Sequence, residues 1–275
     1  VRAVLSLASV FGPAAWIEGV VSMIHATRSS PQAVSAPWAD DSVVDWVDDV
    51  LERACEQGLV GFHERSALDG LREFAFTMRA DRQLIYEEIP AKEKALHHRL
   101  AAQWFGGLDL RDPTPWYEVV AEHLELGGRG ERAAQWFTRA GRAARVAYDM
   151  SRAQTLYRRA LALVDLDRID LLMPVLEGFG EAHYHAGEFT TARRAYGALL
   201  EASLIGDDRR VGARAWLMLG RCHRALGDYK EARACFDYAL GLFKEDRDSA
   251  GIADALDQTA RLLRIEGSGS AYDEA

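Results

Sequence analysis

A motif that returns every 39 or 40 residues constrains this chain more than any other feature of its sequence. It is clearest from Trp216 to Ala239. There a large apolar residue is followed by Leu219-Gly220, a Gly227-Asp228-Tyr229 turn, and Ala232, Phe236 and Ala239 at helical spacing. The same marks stand 40 residues earlier at Leu176, Phe179-Gly180, Gly187-Glu188-Phe189, Ala192 and Tyr196. They recur 39 residues before that at Phe137, Ala140-Gly141, Ala153, Tyr157 and Ala160. Forty residues after the clearest copy, Leu256, Ala260, Leu263 and Gly267 open a further unit. A period of this length means that no unit can bury its apolar face alone, so the units must stack. Small residues at the eighth and twentieth positions let two antiparallel helices approach closely, and the aromatic four residues later fills the seam between units.

The pattern resembles the tetratricopeptide repeat, which implies a mainly α fold, a solenoid of antiparallel helix pairs. Its usual period is about 34 residues, so roughly two extra helical turns at about 3.6 residues each must be absorbed. Either the helices are longer or the loops are, with Gly206-Asp207-Asp208 and Asp246-Arg247-Asp248 reading as such loops. In the last unit a first helix is expected over 250–265. A turn at Gly267-Ser268-Gly269-Ser270 and the start of a second helix at Tyr272 follow. That half unit, and a first residue Val1 in place of Met, lead to the expectation that the natural chain continues beyond both ends.

The front of the chain has another texture. Helical patterns cover about 1–10, 13–25 and 42–57, the second followed by a loop from Thr27 to Ala39 rich in Ser, Pro and Ala. Alternation over Leu59–His63 and Arg72–Met78 predicts two short strands joined by a polar turn, and helices follow at about 80–89 and 91–105. Three helices and a β-hairpin are the outline of a winged helix. The expected organisation is a winged-helix-like domain over 1–105, a helical bridge over 106–130, and about three full repeats plus a truncated one over 131–275.

Several stretches carry a further resemblance: Ala8-Ser9-Val10-Phe11-Gly12 with Trp16, Phe74-Ala75-Phe76-Thr77, Tyr86, and Leu96-His97 with Ala101. Glu122 to Gly128 and Ala133-Ala134-Gln135-Trp136-Phe137 join them. Together they are similar to the winged-helix and repeat region of bacterial STAND-type signalling ATPases, several of which are fused to serine/threonine kinases. The resemblance implies a regulatory or sensor arm of such a protein. The chain departs from the family at Met78, where the family usually has His. It contains no Gly-x-x-x-x-Gly-Lys-Ser/Thr loop, no His-Arg-Asp and no Asp-Phe-Gly. No catalytic residue and no cofactor is therefore expected within it.

Charge and reactive residues narrow the function further. The net charge of −9 argues against general binding to nucleic acid or anionic membranes. Around 42–57, where a winged helix would read DNA, acids dominate and Arg53 is the one base. The acids near the start of that helix also suit its macrodipole. Cys55, Cys222 and Cys235 lack paired spacing, which fits reduced thiols in a cytoplasmic protein. The apolar stretch Val1–Ile24 is interrupted by Phe11-Gly12-Pro13 and carries Arg2 and Glu18, so it reads as two short helices and not a membrane span. Cys222-His223 with His183 and His185 lacks metal-ligand spacing; His183 and His223 share the eleventh position of successive units, a packing position. His97-His98 reads as packing too.

What remains is the inner face, which in this fold is lined by the first helix of each unit at positions 2, 5, 6, 9, 12 and 13. Those positions hold Arg139, Arg142 and Arg145 in the first unit, and Glu177, Glu181, Tyr184 and His185 in the second. The third has Arg214, Leu217, Met218, Arg221 and Arg224, and the partial unit Asp257, Arg261 and Arg264. A local basic stripe on an acidic chain suits carboxylates, because guanidinium groups bind them bidentately. The same stripe also reads as a solvated face paired with Glu177, Glu181 and Asp257. The function expected is a non-catalytic interaction scaffold holding an acidic or C-terminal peptide segment, from a partner or from another part of the parent protein. The alternative is an arm of a regulator responsive to a small molecule or DNA.

Overall fold

The computed structural model describes residues 1–28 and 41–273. Two compact units divide the chain, Val1–Arg132 and Ala133–Ala275. The Ser- and Pro-rich loop expected after Thr27 lies, from residue 29 to 40, outside the described residues.

The first unit runs α1 (Arg2–Phe11), β1 (Ala14–Trp16), α2 (Ile17–Arg28), α3 (Asp41–Glu56), β2 (Val60–Phe62), β3 (Glu73–Phe76), α4 (Arg79–Glu87), α5 (Ala91–Gly106) and α6 (Tyr117–Leu126). Its sheet has three antiparallel strands in the order β1-β3-β2, not the two-stranded hairpin expected. The third strand falls at the start of the segment expected as helix 13–25. Gly12 sits at φ 116° and Pro13 fixes an extended entry, so helix formation restarts only at Ile17. Pairing Trp16 with Glu73 places the indole in the core, where it is 4% exposed. There Trp16 meets the edges of Phe11, Phe105 and Trp116, with centroids 5.3–6.2 Å apart across this cluster. Arg72 closes the unit from outside by bonding Glu18 of α2 and Asp48 of α3.

The second unit is a stack of helices: α7 (Gly130–Val146), α8 (Met150–Leu163), α9 (Ile169–His185), α10 (Phe189–Ile205), α11 (Arg209–Leu226), α12 (Tyr229–Glu245) and α13 (Ser249–Asp273). The long period is absorbed by the helices. α9, α10 and α12 have 17 residues and α11 has 18, while the joints from α9 to α13 are only two or three residues long. Asp149 and Asp208 end the joints before α8 and α11 by accepting the N–H groups of Arg152 and Val211.

Glycine and aromatic positions interlock as the repeat demands. A Cβ on Gly220 would come within 2.4 Å of the Phe236 ring, and one on Gly180 within 2.9 Å of Tyr196. Tyr157 is wedged between Gly141 of its own unit and Gly178 of the next. Ala153, Ala192 and Ala232 beneath these rings have no exposed surface. In the last unit the backbone stays helical through Gly267–Ser270, where a turn was expected, and Tyr272 lies on the same helix. Each further residue adds a hydrogen bond to an existing helix, which offsets the roughly 1 kcal/mol propensity cost per glycine.

Candidate functional site: the face of the first helices

Helices α7, α9, α11 and α13 lie side by side, joined by ion pairs between neighbours. Arg145 of α7 reaches Glu181 of α9 at 3.0 Å. Glu177 of α9 accepts from Arg214 of α11 at 3.0 Å. Arg221 of α11 places one Nη on both oxygens of Asp254 of α13, at 2.5 and 2.7 Å. Arg224 donates to Gln258, which itself donates to Asp254 and Asp257. Arg261 turns back to Asp257 on its own helix at 2.7 Å. The basic stripe is thus one half of a ladder whose rungs alternate in sign from helix to helix.

The partners of Arg221 and Arg224 were not anticipated. They stand 33 and 34 residues further along the chain, and the Glu177–Arg214 pair is separated by 37. A carboxylate or amide one period minus one or two helical turns away is the signal that finds them. Leu217, placed on this face by its position in the repeat, is only 5% exposed and belongs to the core with Phe236, Ala213 and Leu262. Helix α11 is packed on two sides, so its inner face is narrower than a position count suggests.

Burial shapes the electrostatics under the ladder. Desolvation raises the Glu181 carboxyl above its usual range and Glu177 adds to this, while Arg145 opposes it. Desolvation likewise raises the phenols of Tyr157 and Tyr196, the latter strongly. Among the described residues, Tyr196 Oη and the Nε atoms of Arg145, Arg221 and Arg224 are buried without a hydrogen-bond partner. Tyr184 packs edge-on against Phe189 and beside His185, which is exposed.

Arg139, Arg142 and Arg264 behave differently. Arg139 lies 4.6 Å over the Trp136 ring, and Arg264, among the described residues, bonds only the Ala260 carbonyl of its own helix. Arg142 is exposed and makes no hydrogen bond or ion pair among the described residues. Arg139 and Arg142 share the wall of a half-open cavity of about 380 Å³ between α7 and α9.

Histidines of the repeat serve its turns. His183 Nδ1 meets Glu188 at 2.6 Å and Gln154 at 3.3 Å, and His223 Nδ1 meets Asp228 at 3.2 Å. Arg193 of the preceding helix bonds the same Asp228. Each imidazole ties the acid that precedes α10 or α12 to the helix before it. Among the described residues no group of three or more His, Cys, Asp or Glu side chains is placed to hold a metal. No described helix is long and apolar enough to cross a membrane.

Residues 178–250 match the tetratricopeptide repeat family model. Over that stretch the helix pairs are similar to the tetratricopeptide repeat. Among solved structures, the apo form of RapI shares this fold at a TM-score of 0.50 and 13% identity, covering 84% of this chain and 56% of that one. Also similar is a STAND signal transduction ATPase with a tetratricopeptide repeat sensor from Pyrococcus horikoshii, with a TM-score of 0.45 and 12% identity. It covers 99% of this chain and 49% of that one. The chain therefore spans about half the length of these two proteins. No curated protein sequence matches it. The tetratricopeptide units are mainly α, as the repeat spacing implied, and support an interaction scaffold.

Proposed function

We propose that the chain is a non-catalytic scaffold whose tetratricopeptide face binds an acidic segment of a protein partner. The reading extends to the chain as the sensor arm of a larger bacterial signalling ATPase or kinase, with the first unit as its winged-helix-like coupling element. The repeat units support the scaffold role, since stacked helix pairs present an extended surface and no catalytic constellation. The choice of an acidic partner is carried by one observation. On a chain of net charge −9, this face gathers Arg139, Arg142, Arg145, Arg214, Arg221, Arg224, Arg261 and Arg264. Among the described residues Glu177, Glu181, Asp254 and Asp257 pair with four of them, Arg214, Arg145, Arg221 and Arg261. The surplus is positive, so steering favours acidic partners here and repels them elsewhere.

Fluorescence anisotropy with the full chain tests this, using labelled acidic, neutral and basic decapeptides and a 20-base-pair DNA duplex. Acidic peptides are expected to bind, and more weakly as salt is raised. Tighter binding by the basic peptides or the duplex would overturn the reading.

A further inference from the structure

Helices of the second unit alternate in direction, so its stack has two edges. The joints α8–α9, α10–α11 and α12–α13 all fall on one of them. In the register where Tyr157, Tyr196 and Phe236 correspond, Leu166, Ile205 and Glu245 correspond, and so do Leu204 and Lys244. The first two joints therefore present aliphatic side chains where the third presents Lys244 and Glu245, both exposed. Leu166, Leu204 and Ile205 are 74–78% exposed, and they are not scattered. The two joints meet through Gly206, where a Cβ would come within 2.9 Å of Ile169 and 3.6 Å of Met173 on α9. Ile169 stands three residues after Leu166, and both it and Met173 are part-buried. The edge thus carries one apolar ridge. A single exposed aliphatic needs no explanation, but a cluster does, and the repeat itself folds with Lys and Glu in the equivalent places.

Charge decides what covers the ridge. Asp165 and Asp167, on either side of Leu166, are exposed, and their side chains have no partner among the described residues. In the other joint Arg209 is held by Glu245 and Asp246, and Asp207 adds to the stabilisation of its charge. Arg210, in the first turn of α11, is exposed and unpaired among the described residues. Along the edge the order is unpaired acids, apolar ridge, unpaired base. A two-fold rotation about the ridge reverses that order and sets the acids of each copy against the base of the other. We propose that this edge is a self-association surface, on which a second copy of the chain docks antiparallel, ridge on ridge, with Asp165 and Asp167 of each copy facing Arg210 of the other. A partner of another sequence would need both signs of charge in this order; a second copy has them by construction. The five apolar side chains of the ridge fall short of the roughly 800 Å² per partner of a standard interface, so the dimer is expected to be weak, with a dissociation constant of roughly 1–100 μM. The surface is separate from the face of the first helices, and the inference stands whether or not an acidic partner binds there.

Sedimentation equilibrium of the full chain, between about 1 and 300 μM, tests this. A reversible monomer–dimer equilibrium is expected, and a monomer at every concentration would overturn the proposal. Leu204→Lys with Ile205→Glu copies into this joint the residues of the next one. It is expected to leave the melting temperature unchanged and to weaken the dimer more than tenfold. A dimer of unaltered strength in that variant would place the contact elsewhere and sink the idea. The exposed charges allow a second test that leaves the ridge untouched. Asp165→Lys with Asp167→Lys, and separately Arg210→Glu, each set like charges together in their own dimer, and each is expected to associate more weakly than the unaltered chain. Mixed in equal amounts, the two variants again bring opposite charges together at both ends, so a mixed dimer is expected to return. A mixture that associates no better than its components would refute the antiparallel arrangement.

Discussion

Tyr148 is 88% exposed and adopts φ 61°, a left-handed conformation, at the turn between α7 and α8. The matching turns of the next two units hold Gly187 at φ 79° and Gly227 at φ 87°. The left-handed conformation costs a residue with a Cβ about 1–2 kcal/mol, and nothing in the turn visibly repays it. Tyr148→Gly is therefore expected to stabilise the chain, by about 0.5–1 kcal/mol once the looser unfolded chain is counted. Urea denaturation measures this, and a loss of stability would show that the Tyr148 ring has a partner in the folded chain. Residue-scale features divide sharply in how far the sequence reveals them. The arginines of the face were legible because their spacing follows the repeat. Their pairing was legible in part: Glu177, Glu181 and Asp257 could be named as partners, whereas Asp254 and Gln258 carry no repeat signature and act only through the neighbouring helix.

At the scale of elements, the repeat helices could be read because a glycine, an alanine and an aromatic must coincide for two of them to close. That requirement makes one substitution act with opposite signs on adjacent helices. Gly220→Ala on α11 drives a methyl into the Phe236 ring, where its Cβ would lie 2.4 Å away. Overpacking of this kind costs about 1–3 kcal/mol, more than the roughly 1 kcal/mol gained in helix propensity. Gly241→Ala on α12 meets nothing within 4 Å, so only the propensity term acts and the variant is expected to gain up to about 1 kcal/mol. Matched denaturation curves decide it; equal effects at the two sites would mean that the glycines are not packing positions. The first unit was harder to read. Ala14, Ala15 and Trp16 have no strand pattern of their own, and their pairing with β3, almost sixty residues away, is a tertiary choice made by the burial of Trp16. Helix α13 was misread for the opposite reason, with local glycine composition overridden by continuation of an existing helix.

Across the whole molecule, the two compact units hold their buried histidines in different settings. The first contains a buried chain of hydrogen bonds in which Tyr86 Oη meets His98 Nε2 at 2.8 Å and His98 Nδ1 meets His123 Nδ1 at 2.9 Å. One proton between two Nδ1 atoms makes one ring the donor and the other the acceptor, so both imidazoles are best accommodated neutral. Burial lowers His98 to about 4, with His97 and Lys94 adding to the effect, and burial with His98 lowers His123 to about 3. Unfolded histidines titrate near 6.5. Above that pH neither state binds the proton and the contribution of these residues is complete. Between 6.5 and the lowered values the unfolded chain binds protons that the folded chain refuses, so stability falls as pH falls, by up to about 1.4 kcal/mol per unit for each ring. In the second unit His183 and His223 each face a carboxylate and not another imidazole. Acid is therefore expected to separate the units. At pH 7 and at pH 4.5, hydrogen exchange is followed as the full chain is heated. At pH 4.5 residues 1–132 should lose protection at a clearly lower temperature than at pH 7, while the helices from α9 to α12 shift much less. His98→Phe should not restore the acid stability if packing alone were at fault, but it should flatten the pH dependence of the first unit if titration of this pair is the cause. A pH dependence shared equally by both units, or unchanged in that variant, would refute the assignment.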